Sequence, residues 1–286
     1  PISGLIDPSI GSINSIGESL TNIIWAPLEN GIKSISLSAN WMWPCGNEGE
    51  DSRLYKAVNA CSNFAIELGI NIPTGKDSLS MVQKYDNIKI KSPGTVIISA
   101  SGHCQDIRKV VKPVLNKKTG DIYYIDLSFD KFRLGGSCFA QTQNKIGNVA
   151  PTIRNSEKFR DAFNLVQDLI KYNKIKSGHD ISSGGMITTF LEMCFSSVNI
   201  GMDIDLTEIG CDDITKLFFS ENHGVILQSE LNIGNDFSKI GVDCHKIGKI
   251  NNVGLLNIKN FEKNFSFNIS EYRDCLLYTS PSPRDQ

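Results

Sequence analysis

The stretch SGHDISSGGM, residues 177–186, sets His179, Asp180, Ser182, Ser183, Gly184 and Gly185 just ahead of an apolar run, ITTFLEMCF, of helical spacing. A strand that ends in small residues and enters a helix leaves free backbone N–H groups at the positive end of the helix dipole, which favours an anion there. Gly184 and Gly185 would let a phosphate come close to the backbone, and Ser182 can donate a hydrogen bond. Asp180 has the wrong sign for phosphate unless a divalent cation lies between them, and carboxylate oxygens suit magnesium. The plainer alternative is that Asp180 or Ser182 only caps the helix. A His179–Asp180 catalytic dyad is disfavoured, because neighbours on a strand point to opposite faces. No serine or cysteine has an evident base partner.

Two further clusters have the right chemistry and weaker context. In GESLTN, Glu18 and Asn22 are four apart and share one helix face, offering an acid and an amide oxygen. Taken alone, such a pair is ordinary solvated surface. In RLGGS, Gly135, Gly136 and Ser137 sit at another strand-to-helix junction, where a glycine pair also serves close packing. PTGKDSLS imitates a Walker A loop and fails its pattern: Asp77 follows Lys76, and Ile70 stands where the first glycine belongs.

The elements that must position these residues follow from periodicity. A helix is predicted over 13–25 with Ser12 or Asn14 as cap, and a strand over 34–43. A second helix, SRLYKAVNACSNFAIELG, puts Leu54, Val58, Cys61, Ala65 and Leu68 on one face and ends at Gly69. INIP reads as a short strand, TGKDSLSM as a polar loop, and GTVIISASG (94–102) as a buried strand. Residues 105–121 are polar and lysine-rich, a domain boundary. Beyond it come a strand at 122–129, a helix within RLGGSCFAQTQNKIG, an amphipathic helix at 157–172, the strand IKSGHD, and strands at 223–229 and near 245–268. Strands alternating with helices argue for α/β layering.

Composition narrows the class. The 286 residues are 40% hydrophobic and 21% charged with a formal charge of −2, so no basic field recruits nucleic acid or an anionic membrane. No apolar stretch reaches the ~18 residues a bilayer span needs. The eight cysteines form no C-x-x-C pair and several lie in apolar segments, which suggests reduced thiols and a cytoplasmic setting. The four dispersed histidines do not suggest a structural zinc site. After ISEYRD the patterning gives way to CLLYTSPSPRDQ, read as a tail whose residues 275–286 are a cloning or assembly scar.

SIGESLTN, LSANWMWPCGNEGED, GKDSLSM, SPGTVIISA, RLGGSCFAQ, GHDISSGG and LEMCF occur in this order. Together they resemble the phosphoribosylformylglycinamidine synthase family, large glutamine-dependent enzymes of purine biosynthesis, from residue 1 to about 274. The resemblance implies an α/β (α+β) fold of two lobes like those of aminoimidazole ribonucleotide synthetase. The lobes would cover 1–104, truncated at its start, and 105–268, with 269–286 as a tail. It implies the second of two synthetase halves of an ATP-dependent ligase that makes a C–N bond with glutamine as amide donor. Formylglycinamide ribonucleotide would be the substrate, and the other synthetase half and the glutaminase would be partners. By the same resemblance Glu18, Asn22 and Asp180 map onto magnesium ligands and Ser182 onto a nucleotide contact, with Mg2+ and ATP or ADP as cofactors. One further aspartate ligand of the family lies upstream of Pro1. Ser183 stands where the family often has a second acid, and no cysteine matches the glutaminase nucleophile. The same resemblance leaves open a half that holds nucleotide structurally without turnover. A free-standing kinase-like relative is disfavoured by NWMW and GKDSLSM.

Overall fold

The computed structural model describes residues 2–116 and 120–279. After a short helix α1 (Ile2–Ile6), helix α2 runs from Pro8 to Ile23. Asp7 caps it, accepting from the Ser9 and Ile10 N–H groups, and Pro8 fits the first turn, where no N–H is needed. The helix therefore starts earlier than the apolar periodicity suggests. Ser12 and Asn14 are interior residues and not caps: Ser12 Oγ donates to the Pro8 carbonyl, and Asn14 Nδ2 to that of Pro151. Ile16, Leu20 and Ile24 are fully buried along one stripe.

Strand β1 (Ser36–Met42) leads into helix α3 (Glu50–Leu68), which Gly69 ends. The buried stripe of α3 is Ala57, Cys61, Phe64, Ala65 and Leu68; Val58, expected inside, is 42% exposed. Strand β2 (Asn71–Ser78) extends through the predicted TGKDS loop, because Thr74–Ser78 ladder in parallel with Ser38–Met42. Its side chains are mostly exposed on a sheet edge, so a polar sequence is tolerated there and hides the strand. Strands β3 (Val82–Tyr85) and β4 (Ile88–Lys91) form an exposed hairpin in what reads as loop. Strand β5 (Thr95–Ser101) completes the order β2-β1-β5. It too is an edge, buried on one face only: Val96 is inside and Ile97 is 50% exposed.

The second lobe is built on a seven-stranded sheet. In chain order it contributes β6 (Asp121–Asp126), α4 (Cys138–Thr142), α5 (Ser156–Lys171), β7 (Ser177–Asp180) and α6 (Gly185–Cys194). Then follow β8 (Gly201–Asp205), α7 (Ile214–Phe219), β9 (Gly224–Ser229), α8 (Gly234–Lys239), β10 (Cys244–Asn251), β11 (Leu255–Asn260) and β12 (Lys263–Asn268). The strand order is β12-β11-β8-β10-β6-β9-β7, antiparallel except for the β11–β8 pair. Alternation along β6 and β9 separates two cores. Tyr123, Ile125, Val225 and Leu227 face α5 and the first lobe's α2 and α3. Ile122, Tyr124 and Ile226 join α6, α7, β8 and β11. The first core is thus shared by both lobes. Together these layers give the mixed helix-and-sheet class expected from the sequence.

The predicted tail differs. Residues Ile269–Thr279 form helix α9, anchored by fully buried Ile269 and by Tyr272 against Phe267, with ring centroids 5.7 Å apart. Its later apolar residues face solvent, Tyr278 at 92% exposure. Residues 280–286 of the proposed scar lie outside the described residues. Cys61 and Cys194 are buried as expected, whereas Cys104, Cys138 and Cys275 are exposed.

A core shared by both lobes implies one cooperative unit. Phe163, fully buried on α5, should cost about 3–5 kcal/mol when truncated to alanine. All three tryptophans (Trp25, Trp41, Trp43) lie before residue 105. Urea unfolding of Phe163→Ala should shift their fluorescence and the far-UV circular dichroism by the same amount; two separate transitions would refute the shared core.

Candidate functional site

Helix α2 carries the first lobe's share of the site against the second lobe. Gly17 makes the approach possible: a Cβ there would sit 2.5 Å from His223 Nε2 and 2.5 Å from Ile153 Cδ1. One turn earlier the Asn14 carbonyl lies 3.1 Å from His223 Nε2. Next to Gly17, Glu18 Oε1 accepts from Ser182 Oγ at 2.6 Å. Asn22 Nδ2 donates to the Glu18 carbonyl at 2.8 Å and lies 3.4 Å from Glu18 Oε1. The helix-face pair is therefore not idle surface; it is joined to the HDISS turn across a long chain separation.

The turn itself settles the capping alternative. Gly184 occupies the N-cap of α6 with φ +90°, no side chain caps this end, and Gly185 follows at φ +75°. Left-handed φ at two successive positions explains the glycine pair. Neither Asp180 nor Ser182 is the helix cap. The Gly184 N–H donates to Glu221 Oε1 at 3.0 Å, and the Gly185 N–H to the Ser182 carbonyl at 3.0 Å. The same Glu221 oxygen accepts from the Cys138 N–H at 2.8 Å. One carboxylate thus ties the HDISSGG turn to the start of α4, which Ser137 caps from the RLGGS turn. In this conformation a carboxylate fills the anion position expected for phosphate. Sequence reasoning missed Glu221, which lies in an unremarked loop before β9; the unsatisfied amides expected at two glycine turns were the only clue.

Asp180 is held apart from this group. Trp25 Nε1 donates to its Oδ1 at 3.1 Å, and His179 Nδ1 lies 3.6 Å from the same oxygen. Strand alternation predicts that the two neighbours diverge, yet the imidazole turns back, with Nδ1 2.9 Å from the Asp180 carbonyl oxygen. His179 Nε2 meets Glu192 Oε2 at 3.1 Å, so the ring links two carboxylates and faces no nucleophile. Burial opposes its charge, but Asp180 and Glu192 outweigh burial and push its pKa up to about 9. Burial would raise the Asp180 pKa, but His179 and Trp25 lower it, so it stays ionised. His223 is buried and neutral: burial pushes its pKa down against the pull of Glu18 and Asp180.

Glu18, Asn22, Ser182, Ser183, Glu221 and His223 line one cavity of about 370 Å³ at the lobe junction, within the usual range for small-molecule sites. Asp180 is not among its lining residues. Asn14 Oδ1 and His223 Nδ1, both buried, have no partner among the described residues. Among the described residues, no three His, Cys, Asp or Glu side chains are grouped to hold a metal ion. No described helix is long and apolar enough to cross a membrane.

Residues 1–103 match the FGAR-AT PurM_N-like domain, and residues 133–259 match the AIR synthase related protein C-terminal domain. Solved structures agree on the fold. Thermotoga maritima PurL complexed with ATP superposes with TM-score 0.67 at 8% identity, over 94% of this chain and 42% of that one. The same protein complexed with FGAR gives 0.70 at 9% identity, over 94% and 43%. Hydrogenase maturation protein HypE in complex with ATP gives 0.62 at 12% identity, over 90% and 78%. The fold is that of the AIR synthase-related proteins.

Within that class, sequence is more specific. The probable phosphoribosylformylglycinamidine synthase of Arabidopsis thaliana is 40% identical over 266 residues, 91% of this chain and 19% of that one. The Homo sapiens phosphoribosylformylglycinamidine synthase is 32% identical over 260 residues, 89% and 19%. The chain is thus similar to phosphoribosylformylglycinamidine synthases over most of its own length and spans about a fifth of the length of these relatives.

Two outcomes follow from the geometry. Gly17→Ala should gain up to about 1 kcal/mol of helix propensity yet lose roughly 1–3 kcal/mol to the His223 and Ile153 clash, a net destabilisation in urea. Stabilisation would show that the approach is not tight. For His179, a pKa of about 9 against 6.5 unfolded means stability that is complete below about pH 6.5 and lost as pH rises through about 9. Glu192→Gln should bring the His179 titration, followed by NMR, down toward neutrality; an unmoved titration would exclude the pairing.

Proposed function

We propose that this chain contributes a magnesium–nucleotide site to an ATP-dependent ligase that converts formylglycinamide ribonucleotide, with glutamine as amide donor, to the amidine. The observation that carries the reading is the union of Glu18, Asn22 and Ser182 in one cavity at the junction of the lobes. The donor chemistry fits a hard cation: two carboxylates and an amide supply oxygen ligands, and only one oxygen of each carboxylate has a recorded hydrogen-bond partner. Glu18, Asn22 and Asp180 would hold magnesium, which would supply positive charge to offset that of the phosphates. Ser182 would exchange its Glu18 acceptor for a phosphate oxygen. Trp25 and His179 fix the Asp180 carboxylate and keep it ionised. ATP would activate the substrate amide oxygen, and ammonia would then displace phosphate.

A structural role, in which this half holds nucleotide without turning it over, has one observation in its favour. The one imidazole among the described lining residues, His223, is buried, and its Nε2 is committed to the Asn14 carbonyl.

The pair Glu18→Gln and Asp180→Asn tests the shared ion. Each should weaken magnesium-dependent ADP retention on desalting, and the double variant should show a coupling of about 0.5–3 kcal/mol. Additive losses would mean that the two carboxylates do not share a cation. Turnover of formylglycinamide ribonucleotide, ATP and ammonia by this chain alone would refute the structural reading.

A further inference from the structure

A second cavity, of about 430 Å³, opens between the end of β6, the loop after it, the turn at 209–212 and the start of β10. None of its lining residues belongs to the nucleotide cavity. Its lining includes Tyr124, 1% exposed, whose hydroxyl is buried without a hydrogen-bond partner among the described residues. A buried phenol left unsatisfied costs about 1–3 kcal/mol, so its persistence at a cavity wall calls for a ligand atom or water. Burial, reinforced by the charge of Asp126, holds this phenol well above its ordinary pKa, so it stays an O–H group with free lone pairs.

The rest of the wall selects for charge. Asp126 lies near Tyr124 in the chain, and Asp212 and Asp243 are exposed and form no ion pair among the described residues. Asp130 is different, because Arg154 at 3.0 Å and Arg133 at 3.6 Å already neutralise it. Lys131 is the lining ammonium, against exposed Asp212 and Asp243 and against Asp126, which already accepts from the Ser128 N–H and Oγ and whose pKa burial raises. Phe129 and Phe132 add aromatic surface, and His245 stacks on Tyr124 at 6.2 Å and 19°. The Phe129 ring already takes a cation, Lys158 Nζ, 5.8 Å from its centroid. Phosphate is repelled by such a wall.

We infer that this cavity binds a small organic ammonium ligand, its charged head accepted by the Tyr124 oxygen and the Asp126, Asp212 and Asp243 carboxylates, its body on Phe129 and Phe132. The assignment is independent of the nucleotide reading.

The test is calorimetric titration with putrescine at constant ionic strength. One saturable site is expected, weakened at least about tenfold by Tyr124→Phe and by Asp243→Asn. The surface control Asp161→Asn should leave it unchanged. The neutral isostere 1,4-butanediol should bind at least about tenfold more weakly. Absence of saturation by about 10 mM putrescine, or equal binding of the diol, would overturn the inference. Unchanged affinity in Asp243→Asn would do the same, and that exposed position keeps the test decisive should Tyr124→Phe fail to fold.

Discussion

Helix α2 can touch the second lobe only because residue 17 has no side chain. The missing methyl lets the helix axis settle onto His223 and Ile153, and the site contacts made from this helix depend on that separation. Glu18 reaches Ser182, the Asn14 carbonyl reaches His223, and Trp25 at the end of the helix reaches Asp180. A helix displaced by one methyl diameter would break hydrogen bonds of 2.6–3.1 Å that tolerate only tenths of an ångström. The apolar stripe Ile16, Leu20 and Ile24, buried in the core common to both lobes, supplies the force that keeps the helix seated.

Electrostatics divide the site's carboxylates by what each already holds. Asp180 is paired locally with a protonated His179 and fixed by an indole N–H, so it stays oriented and ionised apart from the residues that line the cavity. Glu18 accepts only hydroxyl and amide donors and can release them cheaply. Glu221 is committed to backbone, gathering two amides from two turns. It acts where a ligand phosphate was expected, and it braces the glycine turns that shape the cavity floor.

Much of this was legible in the sequence, and the failures share a cause. Helices with a strong apolar period, α3 and α5, and the buried strands β6 and β9 were found because burial on one or both faces imposes a pattern. The HDISSGG turn was found because a glycine pair before an apolar helix has few explanations. Strand β2 was missed because an edge strand with exposed side chains needs no pattern, and the β3–β4 hairpin for the same reason. The start of α2 was set by Asp7 and Pro8, a cap signal that weak periodicity over the first turn obscured. Glu221 and the His179–Glu192 contact were invisible because each joins residues far apart in the chain or on different elements, and periodicity carries no information about such pairs.

The tight seat of Gly17 also bears on heredity. His223 and Ile153 belong to the second lobe and Gly17 to the first, so the two lobes are fitted to each other as a lock is to one key. A gene exchange joining lobes from distant parents at the linker would preserve both folds and still misfit at this one contact. Drift in the two lobes is therefore coupled: a larger residue at position 17 is better tolerated where smaller ones stand at 153 or 223.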